Sequence, residues 1–325
     1  MVGFHIYRKT KESGKYSPID KIVLLNSILH YKRLFGEIHL ICNTEYAMEL
    51  SESGLLELYD SVNVNLSSLY DAMDLPKHYW SAFKIFALSN ICYKPTDFGL
   101  EMDSDICVLD TDLYFRSTDS LIIRDRIKFP GITLFHKELI DISANNDKSA
   151  YPNIDSWLEF LSEFNLDPQT SPHNCAIIKL NLDYHRSAVL LWWNMALNFI
   201  HRNMELKSYD INAHTIFIEQ RLFPCILKNQ GIQLNTYLDK DFITGIEVDI
   251  NSPTGEEWSP RPGENPISDM ISKSVVHIWG VKQLYHQPIV GNSVIYGSIK
   301  DLMTLHNYQR RYAGLIKDCL TLIQL

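Results

Sequence analysis

The sequence predicts a single α/β domain with a mainly parallel central sheet flanked by helices. In its N-terminal third, short apolar runs typical of buried strands alternate with segments of helical spacing, and the links between them are short. Strand–helix–strand units of this kind form parallel sheets with right-handed crossovers. The chain has 325 residues, of which 46% are hydrophobic. That is enough to bury one large core.

The predicted elements of the N-terminal third begin with a strand at Gly3–Tyr7 and a helix from Pro18 to Phe35. Proline is common at a first helical position, and Gly36 supplies a stop signal directly after the helix. Further apolar patterns predict strands at Ile38–Cys42, Val62–Val64 and Ile106–Leu109. They also predict helices at Tyr46–Leu58 and Trp80–Ile91, the second with one clear apolar face.

The remainder of the chain continues the mixed pattern. Helices are expected at Ile154–Phe164, Tyr184–His201 and Ala213–Lys228. A C-terminal amphipathic helix with basic residues on its polar side is expected over residues 297–325. Residues 249–266 are rich in proline and glycine and predict a long surface loop. Further strands are expected at Ile132–Phe135, Asn174–Lys179, Ile232–Thr236 and Val275–Lys282.

Composition restricts the partners and the compartment. The net charge of −9 argues against a nucleic-acid partner, because such proteins usually present a basic patch. None of the six cysteines forms a CxxC pair, which favours a reducing, cytoplasmic compartment. The apolar stretch Ser187–Ile200 is shorter than the roughly 20 residues that span a bilayer. We therefore expect at most peripheral contact with the inner face of a membrane, through the basic C-terminal helix.

Asp110 and Asp112 are the leading candidates for a metal site. They follow the apolar run Ile106–Leu109 directly, at the carboxyl end of a predicted strand, where ligands bind in open α/β sheets. Carboxylates are costly to bury unless a cation lies beside them, and hard divalent cations take oxygen ligands. A solvated Asp-rich turn is the simpler alternative. A second pair, Asp103 and Asp105, is an alternative metal pair, but the segment before it contains Glu101 and makes a poorer buried strand.

Three motifs in order resemble the metal-dependent glycosyltransferases of the GT-A fold, and especially family 8, the group of glycogenin and the lipopolysaccharide galactosyltransferases. They are the Asp-Thr-Asp sequence at 110–112, the turn into a strand that begins at Asn174, and His277-x-x-Gly280-x-Lys282. The resemblance implies a Rossmann-like GT-A domain in which Asp110, Asp112 and His277 hold Mn²⁺ or Mg²⁺. The last motif is one residue shorter than the HxxGxxK of the family and lacks its Pro-Trp.

The resemblance also implies the ligands and the organisation of the chain. Residues 1–115 would be the nucleotide-binding half and 116–296 the acceptor and catalytic half. Lys282, Gly280 and Asn174 would lie at the nucleotide diphosphate, with Lys84 a second candidate for that contact or else an exposed helix lysine. The donor would be a nucleotide sugar, UDP-linked by analogy, and the acceptor a glycan or a lipid-linked glycan of bacterial polysaccharide biosynthesis.

The catalytic group of such a hexosyltransferase would come from the second half of the chain, where Asp210, Glu219 and Gln220 are the candidates. Glu219 stands in an otherwise apolar helix, which is a costly place for a charge without a role. An exposed helix face is the alternative. His173 is a weaker candidate for a substrate contact.

Two other protein classes remain to be weighed. A catalytically silent protein of the same fold could bind a glycan or a partner without turnover, although it would have little need for both the aspartates and His277. Phosphatases of the haloacid dehalogenase type carry DxDx[TV], and Tyr114 stands at the fifth position here, which argues against them.

Overall fold

The structure, a computed structural model, describes residues 1–9, 17–76, 79–115, 131–137, 154–204, 214–236, 275–277, 299–302 and 313–323. In these ranges the strands are β1 Val2–Tyr7, β2 Ile38–Cys42, β3 Ser61–Asn63, β4 Asp105–Leu109, β5 Leu113–Phe115, β6 Ile132–Lys137, β7 His173–Asn181, β8 Leu234–Thr236 and β9 Val275–His277. The α-helices are α1 Pro18–Phe35, α2 Thr44–Glu52, α3 Asn65–Asp71, α4 Trp80–Tyr93, α5 Ile154–Glu163, α6 Leu182–Arg202, α7 Leu222–Asn229 and α8 Ala313–Ile323.

The central sheet has seven strands in the order β3-β2-β1-β4-β7-β6-β8. Strands β1, β2, β3 and β4 are mutually parallel, β7 is antiparallel to both β4 and β6, and β6 is parallel to β8. Six of the seven strands therefore run in one direction, and the prediction of a mainly parallel sheet in one α/β domain is confirmed. Strands β5 and β9 form a separate antiparallel pair.

Apolar clusters cover both faces of the sheet. Along β4, Ile106 and Val108 pack into the cluster that contains α4, α5, α6 and α7, while Cys107 and Leu109 pack into the cluster that contains α1 and α2. This alternation is the expected result of a strand that is buried on both sides. It predicts that a side chain at position 110, if the alternation continues, faces α4.

Local signals explain the ends of α1. The Ser17 hydroxyl accepts a hydrogen bond from the backbone N–H of Asp20, and the Asp20 carboxylate accepts one from the backbone N–H of Ser17, which is a complete capping box. Gly36 follows with a φ of 104°, a conformation that residues with a Cβ rarely adopt. The predicted bounds of this helix are confirmed.

Two predicted helices differ from the structure. The helix expected over Tyr46–Leu58 ends at Glu52, because Gly54 takes a positive φ of 66° and a 3₁₀ turn follows at Leu56–Leu58. Helix α4 is buried on almost every side rather than along one face, from Ser81 to Ser89 without interruption. A lysine within it, at position 84, is therefore an interior residue.

Helix α8 packs against α1. Among the described residues, no helix combines the length and the apolar character needed to cross a membrane.

Candidate active site

A tight turn at the carboxyl end of β4 carries the two predicted metal ligands. The backbone N–H of Leu113 donates to the carbonyl of Asp110 at 3.2 Å, which closes a turn over residues 110–113 and leads into β5. The N–H of Asp110 donates to the carbonyl of Ala176 on β7 at 2.9 Å. The turn is thus tied to the sheet, and its two carboxylates lie at the edge where parallel strands end.

The reversed direction of β7 brings a second group of residues to this edge. Because β7 pairs antiparallel with β4, its amino end lies beside the carboxyl end of β4. Asn174 is buried there, and its side-chain oxygen accepts a hydrogen bond from the N–H of Ala176 at 2.8 Å. The carbonyl of Cys175 is turned toward α4. The structure therefore places Asn174 at the same edge of the sheet as Asp110.

Lys84, Asp110 and Glu219 form an ionic cluster at this edge. Lys84 is 5% exposed and Glu219 2%, whereas the side chain of Asp110 is partly exposed. The Lys84 ammonium donates to Asp110 Oδ1 at 2.8 Å and to the Cys175 carbonyl at 3.1 Å, and it forms an ion pair with Glu219. Three elements that are far apart in sequence meet at one ammonium group.

The cluster combines one positive and two negative groups, and the pKa values of Lys84 and Glu219 are shifted. Burial opposes the charge of Lys84, but the carboxylates of Asp110 and Glu219 outweigh that effect and raise the pKa of Lys84 above its ordinary value. Burial also raises the pKa of Glu219, and the Asp110 carboxylate adds to this rise while Lys84 opposes it. These are the shifts expected when two carboxylates share one cation in a buried place.

Glu219 lies on a π-helical turn, Phe217–Arg221, that leads into α7. A π turn interrupts the regular hydrogen-bond ladder of a helix and often occurs at functional sites. Here other elements bind two of its carbonyls: the indole N–H of Trp192 donates to Ile218 at 2.6 Å, and the Cys175 thiol donates to Glu219 at 3.4 Å. The predicted helix Ala213–Lys228 is thus interrupted at its polar residues, and Glu219 faces the interior rather than solvent.

Asp112 lies in a different environment from Asp110. It is buried, and its charge acts on His5, a fully buried ring on β1. The two ring nitrogens of His5 are hydrogen-bonded to the Tyr59 hydroxyl at 2.7 Å and the Ser27 hydroxyl at 2.9 Å. Burial lowers the pKa of His5 to about 3, although the Asp112 carboxylate acts in the opposite direction. The neutral ring therefore stands beside the turn over residues 110–113.

Strand β9 brings His277 to the same turn. It pairs antiparallel with β5, and the register sets the backbone of His277 opposite Leu113, the residue after Asp112. Among the side chains that the structure describes, no three His, Cys, Asp or Glu residues are grouped to hold a metal; the side chain of His277 is outside that set. Two carboxylates from one turn and an imidazole from the paired strand are a donor set that suits Mn²⁺, so the residues present fit such an ion.

The other predicted site residues are distributed as follows. Gln220 is half-buried beside Glu219, and His173 is buried at the start of β7, with Nδ1 2.9 Å from the carbonyl of Ser171. Asp105 begins β4, so the alternative pair Asp103 and Asp105 lies at the opposite edge of the sheet from Asp110. The predictions for Asp210, Gly280, Lys282 and the loop 249–266 lie outside the described residues.

Sequence reasoning missed two contributors to the site. One is the backbone carbonyl of Cys175, which no residue pattern could reveal. The other is His5 with its hydroxyl partners Ser27 and Tyr59. A histidine at the centre of an apolar strand was the available signal, since histidine is fully buried much less often than its apolar neighbours.

The sheet, the helices on both of its faces and the acidic turn at its carboxyl edge define a single α/β domain. Three solved structures similar to this chain are all glycosyltransferases. Mouse xyloside xylosyltransferase 1 in its apo form is 14% identical with a TM-score of 0.40, over 73% of this chain and 84% of that one. The galactosyltransferase LgtC with donor and acceptor sugar analogues is 10% identical with a TM-score of 0.39, and an active-site mutant of LgtC is 11% identical with a TM-score of 0.37.

Each LgtC match covers 66% of this chain and 70% of that one. No protein-family model and no curated protein sequence matches the chain. At these identities and TM-scores the likeness concerns the fold alone and assigns this chain neither a donor nor an acceptor.

Proposed function

We propose that this protein is a metal-dependent glycosyltransferase that moves a hexosyl group from a nucleotide sugar, UDP-linked by analogy, to a glycan or lipid-linked acceptor. One observation carries the proposal: the 110–113 turn presents Asp110 and Asp112 at the carboxyl edge of the sheet, and β9 pairs beside that turn with His277 in register. The two alternatives, a phosphatase and a solvated acidic turn, do not explain why the strand that carries His277 pairs beside this turn.

Asp110, Asp112 and His277 would hold Mn²⁺ or Mg²⁺, which supplies positive charge to a leaving nucleoside diphosphate. Lys282 would add a point charge at the diphosphate, and Gly280 would allow its close approach to the backbone. Asn174 lies at the same edge as Asp110, with its amide group at the entrance to β7. This division of roles follows the resemblance.

Glu219, Gln220 and Asp210 are the proposed catalytic candidates. Glu219 and Gln220 are adjacent on the π turn. Glu219 forms an ion pair with the Lys84 ammonium, which also donates a hydrogen bond to Asp110. A substrate group that develops charge beside Asp110 would therefore lie near the buried carboxylate of Glu219 or the half-buried amide of Gln220. The Lys84–Glu219 ion pair is buried, and electrostatic interactions are stronger in a buried place than in water.

The test is release of nucleotide from a panel of UDP-, GDP- and CMP-sugars by the purified protein, with Mn²⁺ and then with EDTA. We expect one donor to be hydrolysed slowly, only with the metal, and we expect Asp112→Asn and His277→Ala to lower the rate by roughly 100-fold or more. Asp105→Asn is the matched control, since it changes the same chemical group at the opposite edge of the sheet.

The outcomes separate the alternatives. Loss of activity in Asp105→Asn but not in Asp112→Asn would assign the metal to the pair Asp103 and Asp105. Binding of a nucleotide sugar with Mn²⁺, seen as a thermal shift but without release or transfer to any acceptor offered, would favour the silent binding protein. Neither binding nor release with any nucleotide would overturn the proposal.

A further inference from the structure

The Lys84 ammonium is surrounded by three polar protein groups. An ammonium has three N–H donors and no acceptor. In this structure Lys84 Nζ donates to Asp110 Oδ1 and to the Cys175 carbonyl, and it meets the Glu219 carboxylate as its third partner. To reach a diphosphate directly, the side chain would have to give up one of these contacts inside the core.

The partners of Lys84 are themselves fixed. The Cys175 carbonyl belongs to β7, which is paired on both sides within the sheet. Glu219 belongs to the π turn, whose Ile218 carbonyl is bound by Trp192 and whose Glu219 carbonyl is bound by Cys175. Lys84 is therefore clamped between a strand and a turn, and it in turn holds one oxygen of a partly exposed aspartate.

We propose that Lys84 is a positioning residue for Asp110: clamped by Glu219 and the Cys175 carbonyl, it holds Asp110 Oδ1 and so orients the carboxylate for a divalent cation. The inference rests on the proposed function, in which Asp110 is a metal ligand. Partners that orient a ligating carboxylate typically change metal affinity by about 10–100-fold when they are removed.

The sign of the effect separates positioning from simple electrostatics. A cation within hydrogen-bond distance of a metal ligand repels the metal ion, so removing that charge alone would tighten metal binding. Removing a positioning contact lets the carboxylate rotate and adopt other rotamers, which weakens binding. The two roles of Lys84 therefore predict changes in opposite directions.

The experiment measures Mn²⁺ binding to the full chain at constant pH, by titration calorimetry and by the electron paramagnetic resonance signal of free Mn²⁺, without donor. Lys84→Met is compared with wild type. Lys179→Met is the matched control, because Lys179 is a buried lysine of β7 that lies beside Cys107 and Asp105, toward the other edge of the sheet. We expect Kd to rise about 10–100-fold in Lys84→Met and to stay within about twofold in Lys179→Met.

The double variant Lys84→Met/Glu219→Gln is made in case Lys84→Met does not fold, because the double variant leaves no unpaired Glu219 carboxylate in the core. Its Kd for Mn²⁺ should rise to a similar extent. An unchanged or lower Kd in a folded Lys84 variant would overturn the positioning role while leaving the proposed function intact. Absence of Mn²⁺ binding by the wild-type protein would overturn the metal site of the proposed function, and the inference with it.

Discussion

Acid is expected to destabilise the protein through His5, the fully buried ring between Ser27 and Tyr59. Its pKa in the native state is about 3, against 6.5 for an unperturbed histidine. As the pH falls below the higher value, the unfolded chain takes up a proton that the native ring refuses. The stability that His5 contributes is therefore fully present above the unfolded pKa and is lost as the pH falls toward the native one.

The size of the effect follows from this window. One pKa unit corresponds to about 1.4 kcal/mol, so between pH 7 and pH 5 the native state loses about 2 kcal/mol of unfolding free energy through this one group. His5→Gln removes the titration but keeps a side chain able to hydrogen-bond to both hydroxyls. The variant should be less stable than wild type at pH 7, and the gap between the two should shrink by about 2 kcal/mol by pH 5.

The assay is urea unfolding of both proteins at a series of pH values, with the difference taken at each pH so that the other titrating groups cancel. His39→Gln is the matched control, because its ring on the neighbouring strand β2 is only half-buried. Burial lowers the pKa of His39 as well, so the control should show the same sign and a smaller change. A constant gap between wild type and His5→Gln from pH 7 to pH 5 would refute the reasoning.

Three further predictions concern unfolding free energy in urea. Lys84→Met strands the buried Glu219 carboxylate and should cost about 3–5 kcal/mol, of which Lys84→Met/Glu219→Gln should recover at least half; equal losses would contradict the pairing. Trp192→Phe keeps a ring that stacks on its neighbour but removes the N–H that donates to the Ile218 carbonyl, and it should cost about 1–3 kcal/mol. An unchanged urea midpoint would be evidence that this hydrogen bond does not hold the π turn. Ser17→Ala removes the capping box of α1 and should cost about 1 kcal/mol; no loss would mean that the cap is dispensable.

The parts of the fold that could be predicted from sequence are those that local chemistry determines. Pro18 and Gly36 mark the ends of α1 because a fixed φ suits the first turn and a positive φ suits the residue after the last. The apolar runs at β1, β2 and β4 predict buried strands because a short, continuous apolar run is typical of a strand covered on both faces. The acidic pair at 110 and 112 could be placed at a carboxyl edge from the same pattern, because the βαβ rule fixes the direction of these strands.

Long-range pairing could not be predicted in the same way. Nothing in the apolar run 174–179 indicates whether β7 runs with or against β4, yet the antiparallel pairing carries Asn174 and Cys175 to the edge of the candidate site. The pairing of β9 with β5 likewise joins two short segments from distant parts of the chain. Such contacts depend on the assembled core and have no counterpart in local spacing.

The ionic cluster of Lys84, Asp110 and Glu219 lies between these two cases. A lysine in α4 and a glutamate before α7 each stand among apolar neighbours, where a lone charge is costly, so two lone charges of opposite sign favour burial as a pair. What sequence could not supply is the π turn, because its register depends on a tryptophan of α6. The two buried charges predict that Lys84 and Glu219 form an ion pair. Only the folded π turn places that pair at Asp110. A structural ion pair thereby becomes part of the proposed metal site.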